Sequence, residues 1–191
     1  MSNFINTVIA AALVNNLVFV QLVGVSSLFA YTRRFEAATE LAWLSFLVMF
    51  PALAIAATIE RFILTPLNLG FLALLTFVII AATLAHVLLD LVERHFPLLA
   101  RRHRLAIILL SSNSAIVGAA LLNIESLLTF PLLLAATFGS ALGFALILIA
   151  FAAMRQRYEL ADVPAAMKGP AIDLLCAGIA AMCFLGFAGV V

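Results

Sequence analysis

Apolar residues fall in six long runs, at about 4–24, 38–59, 69–91, 105–122, 131–153 and 171–190, each bounded by charge or proline. A helix rises 1.5 Å per residue, so about 20 apolar residues cross a hydrocarbon core of about 30 Å. The pattern predicts an all-α integral membrane protein of six transmembrane helices, with residues 1–191 forming a single transmembrane domain. The connections, at 25–37, 60–68, 92–104, 123–130 and 154–170, are too short to hold a separate catalytic domain. Pro66, Pro97, Pro131, Pro164 and Pro170 sit in or beside them, where a missing N–H costs least. Only Pro51 lies inside a predicted helix, where it predicts a kink. The opening MSNFINTVIAAALVNNL has neither the basic start nor the small-residue cleavage site of a removable signal, and reads as the start of a retained helix.

Charge then orients the helices. Arg33, Arg34, Arg94, Arg101, Arg102, Arg104, Arg155, Arg157 and Lys168 lie in the first, third and fifth connections, leaving Arg61 alone of the ten basic residues in an even-numbered one. Basic residues near span ends stay on the cytoplasmic side. This predicts that Met1 and Val191 are both outside, in the periplasm beyond a bacterial inner membrane. Composition agrees, with 66% hydrophobic and 10% charged residues against about 25% charged in soluble domains. A net charge of +1 with no basic face excludes nucleic acid as a partner and leaves membrane lipid as the surroundings.

Two predicted helices carry polar residues that lipid-facing helices avoid. The first reads LVNNLVFVQLVGVSSLFA at 13–30, and the fourth reads LLSSNSAIVGAALLN at 109–123. They stand three spans apart. A unit of three crossings must insert its second copy upside down, so residues of about 1–95 and 96–191 are predicted to be two inverted three-helix repeats. Asn, Ser and Gly at membrane depth favour unwound backbone, which is tolerated only against protein or a water-filled cavity. Asn15, Asn16, Gly24, Ser26, Ser27, Ser112, Asn113 and Ser114 are therefore expected to face inward as a central polar segment. Two roles are open to them. They bond neighbouring helices, at about 0.5–1 kcal/mol each, or they meet near the midplane as a cofactor or ion site.

Other residues carry weaker signals. His86 and Asp90, four apart on the third helix, share a face, which fits an interfacial role or an ion path. Gly139 and Gly143, spaced as GxxxG, predict close helix packing inside the bundle or at a contact between protein chains. Cys176 and Cys183 on the last helix read as small buried hydrophobes. The fifth connection, with Arg155, Arg157, Glu159, Asp162 and Lys168, has no nucleophile–base set and no metal-binding His/Cys spacing, and predicts a topogenic or docking surface. No catalytic residue and no metal ligand is assigned.

LVNN at 13–16, PLNL at 66–69, SSNSAIVGAALLN at 111–123, FAAMRQRYELADVPA at 151–165 and GFAG at 186–189 carry a family resemblance over nearly the whole chain. They resemble the small six-helix subunits of the Rnf ion-translocating electron-transport complex, the RnfA type in particular, and of the related sodium-pumping NADH:quinone oxidoreductase. The resemblance implies a subunit that is not catalytic alone, paired with a homologous six-helix partner of the RnfE type in opposite orientation. It also implies neighbours that carry flavin and iron–sulfur centres. The complex would pass electrons between reduced ferredoxin or a nicotinamide nucleotide and other carriers while moving sodium ions or protons. A two-iron, two-sulfur (2Fe-2S) cluster in mid-membrane is implied too, held by two cysteines from each of the paired subunits.

In this sequence the matching positions are Ser26 and Ser114. Iron–sulfur clusters take soft thiolates, whereas a serine hydroxyl is a hard donor that gives up its proton far less readily. The chain is therefore predicted to supply no cysteine ligand, since Cys176 and Cys183 do not fall at the family's positions. Engineered replacement of both cysteines, a divergent paralogue with another electron route, and a redox-inactive scaffold all fit the serines. Ser27, Ala30 and the Arg-rich stretch 101–104 also depart from the family pattern and favour the divergent paralogue. Outside that family, a stand-alone inverted-repeat carrier or channel for an ion or small solute fits the same paired polar helices.

Overall fold

The computed structural model describes residues 2–98, 114–124, 128–164 and 167–187, and every regular element among them is helical. In chain order these are α1 (Ser2–Ile9), α2 (Val25–Tyr31), α3 (Phe35–Ile59), α4 (Ala73–His95), α5 (Ser114–Ile124), α6 (Phe130–Glu159) and α7 (Pro170–Leu185). Single π-helical turns prolong α1 through Ala10–Val14 and α3 through Glu60–Leu64, and a short 3-10 turn, Gly70–Leu72, leads into α4. Three stretches, Phe35–Leu64, Gly70–His95 and Phe130–Glu159, are long and apolar enough to cross a membrane. Asn3–Val14, Ser114–Asn123 and Pro170–Leu185 are shorter apolar helices. This is the architecture of a helical integral membrane protein.

The second, third and fifth predicted spans are these three long helices. α6 runs on to Glu159, past the first charges at which the apolar run stopped, and α3 is continuous through Pro51. The first run is not one rod. It consists of α1 with its π turn, an unwound stretch at 15–24, and α2. Residues 105–113 of the fourth run lie outside the described residues, as do Arg101, Arg102, Arg104, Met1 and Val191.

α3 and α6 form the centre. Ala42, Val48, Ala52 and Leu53 of α3 are buried with Ala141, Ile147, Leu148 and Ala152 of α6, small residues alternating with branched ones so that the helices interlock. Phe138 of α6 stands edge-on to Phe46 and Phe50 of α3, with ring centroids at 5.6 and 5.4 Å. α4 is peripheral. Only 28% of its most apolar window is buried against 61% for α6, and it turns Leu74, Leu75, Ile79, Val87 and Leu91 outward. Such a surface is at home in lipid, whose tails are as apolar as the side chains.

The GxxxG pair packs inside the bundle. A Cβ on Gly139 would sit 2.5 Å from Val8 O, and one on Gly143 would sit 2.6 Å from Ala12 O. Both glycines thus let α6 touch the backbone of the first helix and its π turn, just before that helix unwinds.

Candidate functional site

The unwound stretch begins at Asn15, where the backbone leaves helical geometry at φ −102° and ψ 41°. Asn16, 1% exposed, holds the break together. Its Nδ2 donates to Ala12 O at 2.7 Å, and its Oδ1 accepts from the N–H groups of Val18 at 3.0 Å and Phe19 at 3.3 Å. One buried amide side chain therefore satisfies one carbonyl that the ended helix leaves open and two N–H groups of the unwound chain after it. Leu17, Val18 and Phe19 are buried too, and Phe19 meets Phe184 of α7 at 5.2 Å. Residues 16–19 are thus unwound backbone covered by protein, one of the two settings in which a membrane interior tolerates it, the other being a water-filled cavity.

The chain then turns through two residues of positive φ, Leu22 at 56° and Gly24 at 79°. Leu22 is 71% exposed and gains no burial in exchange for a backbone region that branched residues avoid. Glycine is required at position 24 on two counts, the left-handed φ and a close approach: an added Cβ would meet Ala115 Cβ at 2.7 Å and Phe144 at 2.9 Å.

Here the two polar segments come together. Gly24 N–H donates to Ser114 Oγ at 3.3 Å, and Val23 lies over Gly118, where an added Cβ would fall 2.5 Å from Val23 Cγ1. Ser27 is 9% exposed in the first turn of α2, its N–H bonded to Gly24 O at 3.1 Å. Asn15, Ser26 and Ser114 are exposed, whereas Asn16 and Gly24 are buried. Ser112 and Asn113 lie outside the described residues. A cavity of about 420 Å³ opens beside the stretch, with Thr7, Asn15, Gln21, Asn123 and Ser140 among its lining. Its hydroxyl and amide oxygens suit water or a hard cation.

His86 and Asp90 share a face of α4, and that face is exposed. His86 Nδ1 lies 2.8 Å from Ala82 O, and Asp90 pairs with Arg94 at 2.8 Å, both interactions local to α4. A further polar group, Arg155 with Tyr158 and Asp173, joins α6 to α7. Sequence reasoning assigns Arg155 to a topogenic or docking surface in the fifth connection and passes over Asp173. The available signal is Asp173 itself, one acidic residue inside the run 171–190, because a carboxylate at membrane depth needs a cation close by.

A family model described as Rnf-Nqr subunit, membrane protein, matches residues 4–191. The chain is 35% identical over 191 residues to the A subunit of the ion-translocating oxidoreductase complex of Syntrophotalea carbinolica, covering 100% of this chain and 99% of that protein. It is 35% identical to the protein of the same description from Pasteurella multocida, with 100% of both chains covered. The corresponding protein of Vibrio vulnificus is 34% identical, again across 100% of both.

Proposed function

The chain belongs to the Rnf-Nqr family of membrane subunits, and on that premise we propose that it is a multi-pass subunit of an Rnf-type ion-translocating oxidoreductase complex. In this reading it helps couple electron transfer to the movement of sodium ions or protons across the bacterial inner membrane. Full-length similarity to the A subunits of such complexes carries the proposal, and the meeting of the two polar segments at Gly24 and Ser114 gives it a centre.

Six spans, both termini outside, and inverted repeats at 1–95 and 96–191 belong to the same reading. Each half has a 30-residue helix, Phe35–Leu64 or Phe130–Glu159, followed by a further apolar helix, Gly70–His95 or Pro170–Leu185. Arg61 Nη1 donates to Leu128 O at 3.3 Å, tying the second connection to the fourth. Arg155 donates to Phe29 O and Thr32 Oγ1, tying the inner end of α6 to the first connection. Such ties are expected if even connections share one side of the membrane and odd ones the other.

Exposed polar residues at the centre, Asn15, Ser26 and Ser114, favour a protein cover over lipid. The cover proposed is a homologous six-helix partner of the RnfE type in opposite orientation, within a complex whose other subunits carry flavin and iron–sulfur centres. His86 and Asp90 join an ion path only where a partner covers the outer face of α4, since a charged group against lipid offers none.

A 2Fe-2S cluster does not fit the residues of this chain. Ser26 and Ser114 bring hydroxyls, Ser114 Oγ is engaged with Gly24 N–H, and the thiols of Cys176 and Cys183 sit on α7. The chain accordingly supplies no thiolate to a shared cluster. Iron and acid-labile sulfide assays with electron paramagnetic resonance on the intact complex test this. Replacing Cys176 and Cys183 by alanine is expected to leave every cluster signal unchanged, and loss of a signal with either substitution would overturn it.

A further inference from the structure

Arg155 and Asp173 are 6% and 5% exposed, and Arg155 Nη2 donates to Asp173 Oδ2 at 2.5 Å. Tyr158 donates its hydroxyl to the other carboxylate oxygen of Asp173, and Arg155 Nε lies 3.3 Å from Glu159 Oε1. The remaining arm of the guanidinium leaves α6 and α7 and reaches α2. Nη1 donates to Phe29 O and to Thr32 Oγ1, both at 3.2 Å, while Thr32 Oγ1 donates to Leu28 O at 2.6 Å.

α2 needs such a tie. It has 7 residues, far fewer than the roughly 12–15 at which a helix begins to hold itself, and it stands between an unwound stretch and a loop. Its last carbonyls lack intrahelical partners, and Arg155 and Thr32 take up two of them, at Phe29 and Leu28. The electrostatics agree at both helix ends. The guanidinium sits at the negative C-terminus of α2, and Asp173 sits in the first turn of α7 at its positive N-terminus. At the opposite end of α2, Gly24 is held against Ser114 and Ala115. A cavity of about 220 Å³ borders the ion pair on the side of α6, α7 and the loop between them.

We propose that Arg155, itself oriented by Asp173 and Tyr158, is a positioning residue that clamps the inner end of α2 and so fixes Ser26 in register with Ser114. The functional weight of that register rests on the proposed function, in which the two segments form the centre of the protein. The clamp itself is a statement about α2 alone.

Amide hydrogen exchange on the full chain in lipid nanodiscs tests it, comparing peptides over 25–32 with peptides over 170–185. Arg155→Lys keeps the positive charge and its attraction to Asp173, but an ammonium cannot present the planar fork that reaches Asp173, Phe29 O and Thr32 Oγ1 together. The expected result is exchange about tenfold faster in 25–32, the loss of one charge-assisted hydrogen bond, with 170–185 unchanged. Tyr158→Phe should give a smaller rise confined to 25–32. Unchanged exchange in 25–32 would overturn the clamp, and so would an equal rise in both peptides, since the pair would then serve only to hold α6 to α7. Exchange does not depend on electron transfer, so either outcome leaves the proposed function standing. A chain purified without redox partners would overturn that function and leave the exchange result valid.

Discussion

Alanine at Gly143 would place its Cβ 2.6 Å from Ala12 O and 2.8 Å from Ala12 Cα. Comfortable contacts between such atoms lie at about 3.5–4.0 Å, so α6 and the first helix must part by about 1 Å. Both neighbours are backbone atoms, and no rotamer change relieves the clash. Overpacking of this kind costs about 1–3 kcal/mol. Ala12 O also accepts from Asn16 Nδ2 at 2.7 Å, so the same push strains the clip that organises the unwound stretch, and its loss adds about 1 kcal/mol. Gly178 is the control: nothing lies within 4 Å of an added Cβ there, and alanine in a helix interior is worth about 0.5–1 kcal/mol over glycine. The assay is thermal unfolding of both variants in the same detergent, where about 2–4 °C corresponds to each kcal/mol for a chain of this size. Gly143→Ala should melt several degrees below the parent, and Gly178→Ala at or above it. Equal melting temperatures would refute the reading of Gly143 as the seat of the first helix.

Asn16→Leu should destabilise strongly, because it leaves the buried N–H groups of Val18 and Phe19 without an acceptor, at about 1–3 kcal/mol each. Unfolding in the same detergent measures this, and a variant as stable as the parent would show that the clip is dispensable. Asp173→Leu removes the closest partner of the buried Arg155 charge, at about 3–5 kcal/mol, whereas Arg155→Met with Asp173→Leu removes both charges and should recover part of the loss, short of what the Nη1 bonds to Phe29 and Thr32 contribute. A double variant no better than the single one would count against the ion pair as the cause. In intact cells a membrane-impermeant thiol reagent should modify Arg61→Cys and spare Lys168→Cys in a chain whose own cysteines are replaced by alanine, and the reverse pattern would invert the proposed topology.

The long helices were legible because Phe35–Leu64, Gly70–His95 and Phe130–Glu159 are apolar over enough residues to need little else. Their ends were not. α6 continues to Glu159 because Arg155 and Tyr158 find partners across the bundle, and a run read along one chain stops at its first charge. The break in the first helix was foreshadowed by Asn15, Asn16 and Gly24. The positive φ at Leu22 was not, since nothing in a leucine marks it. Four-residue spacing correctly put His86 and Asp90 on one face, yet periodicity does not say which face looks outward. That follows from how α4 packs against its neighbours, and here the face is exposed. Asp173 was legible in principle and overlooked, because a single carboxylate in a run of 20 residues at 171–190 barely changes its hydropathy.

Tagging the chain in its native cell and purifying it from gently solubilised membranes tests most directly whether it serves an ion-coupled redox complex. A homologous six-helix protein and proteins carrying flavin and iron–sulfur centres should come with it, and vesicles lacking the chain should lose ion uptake driven by electron transfer. Recovery of a stable lone protein that moves an ion or solute with no redox partner would contradict the proposed function.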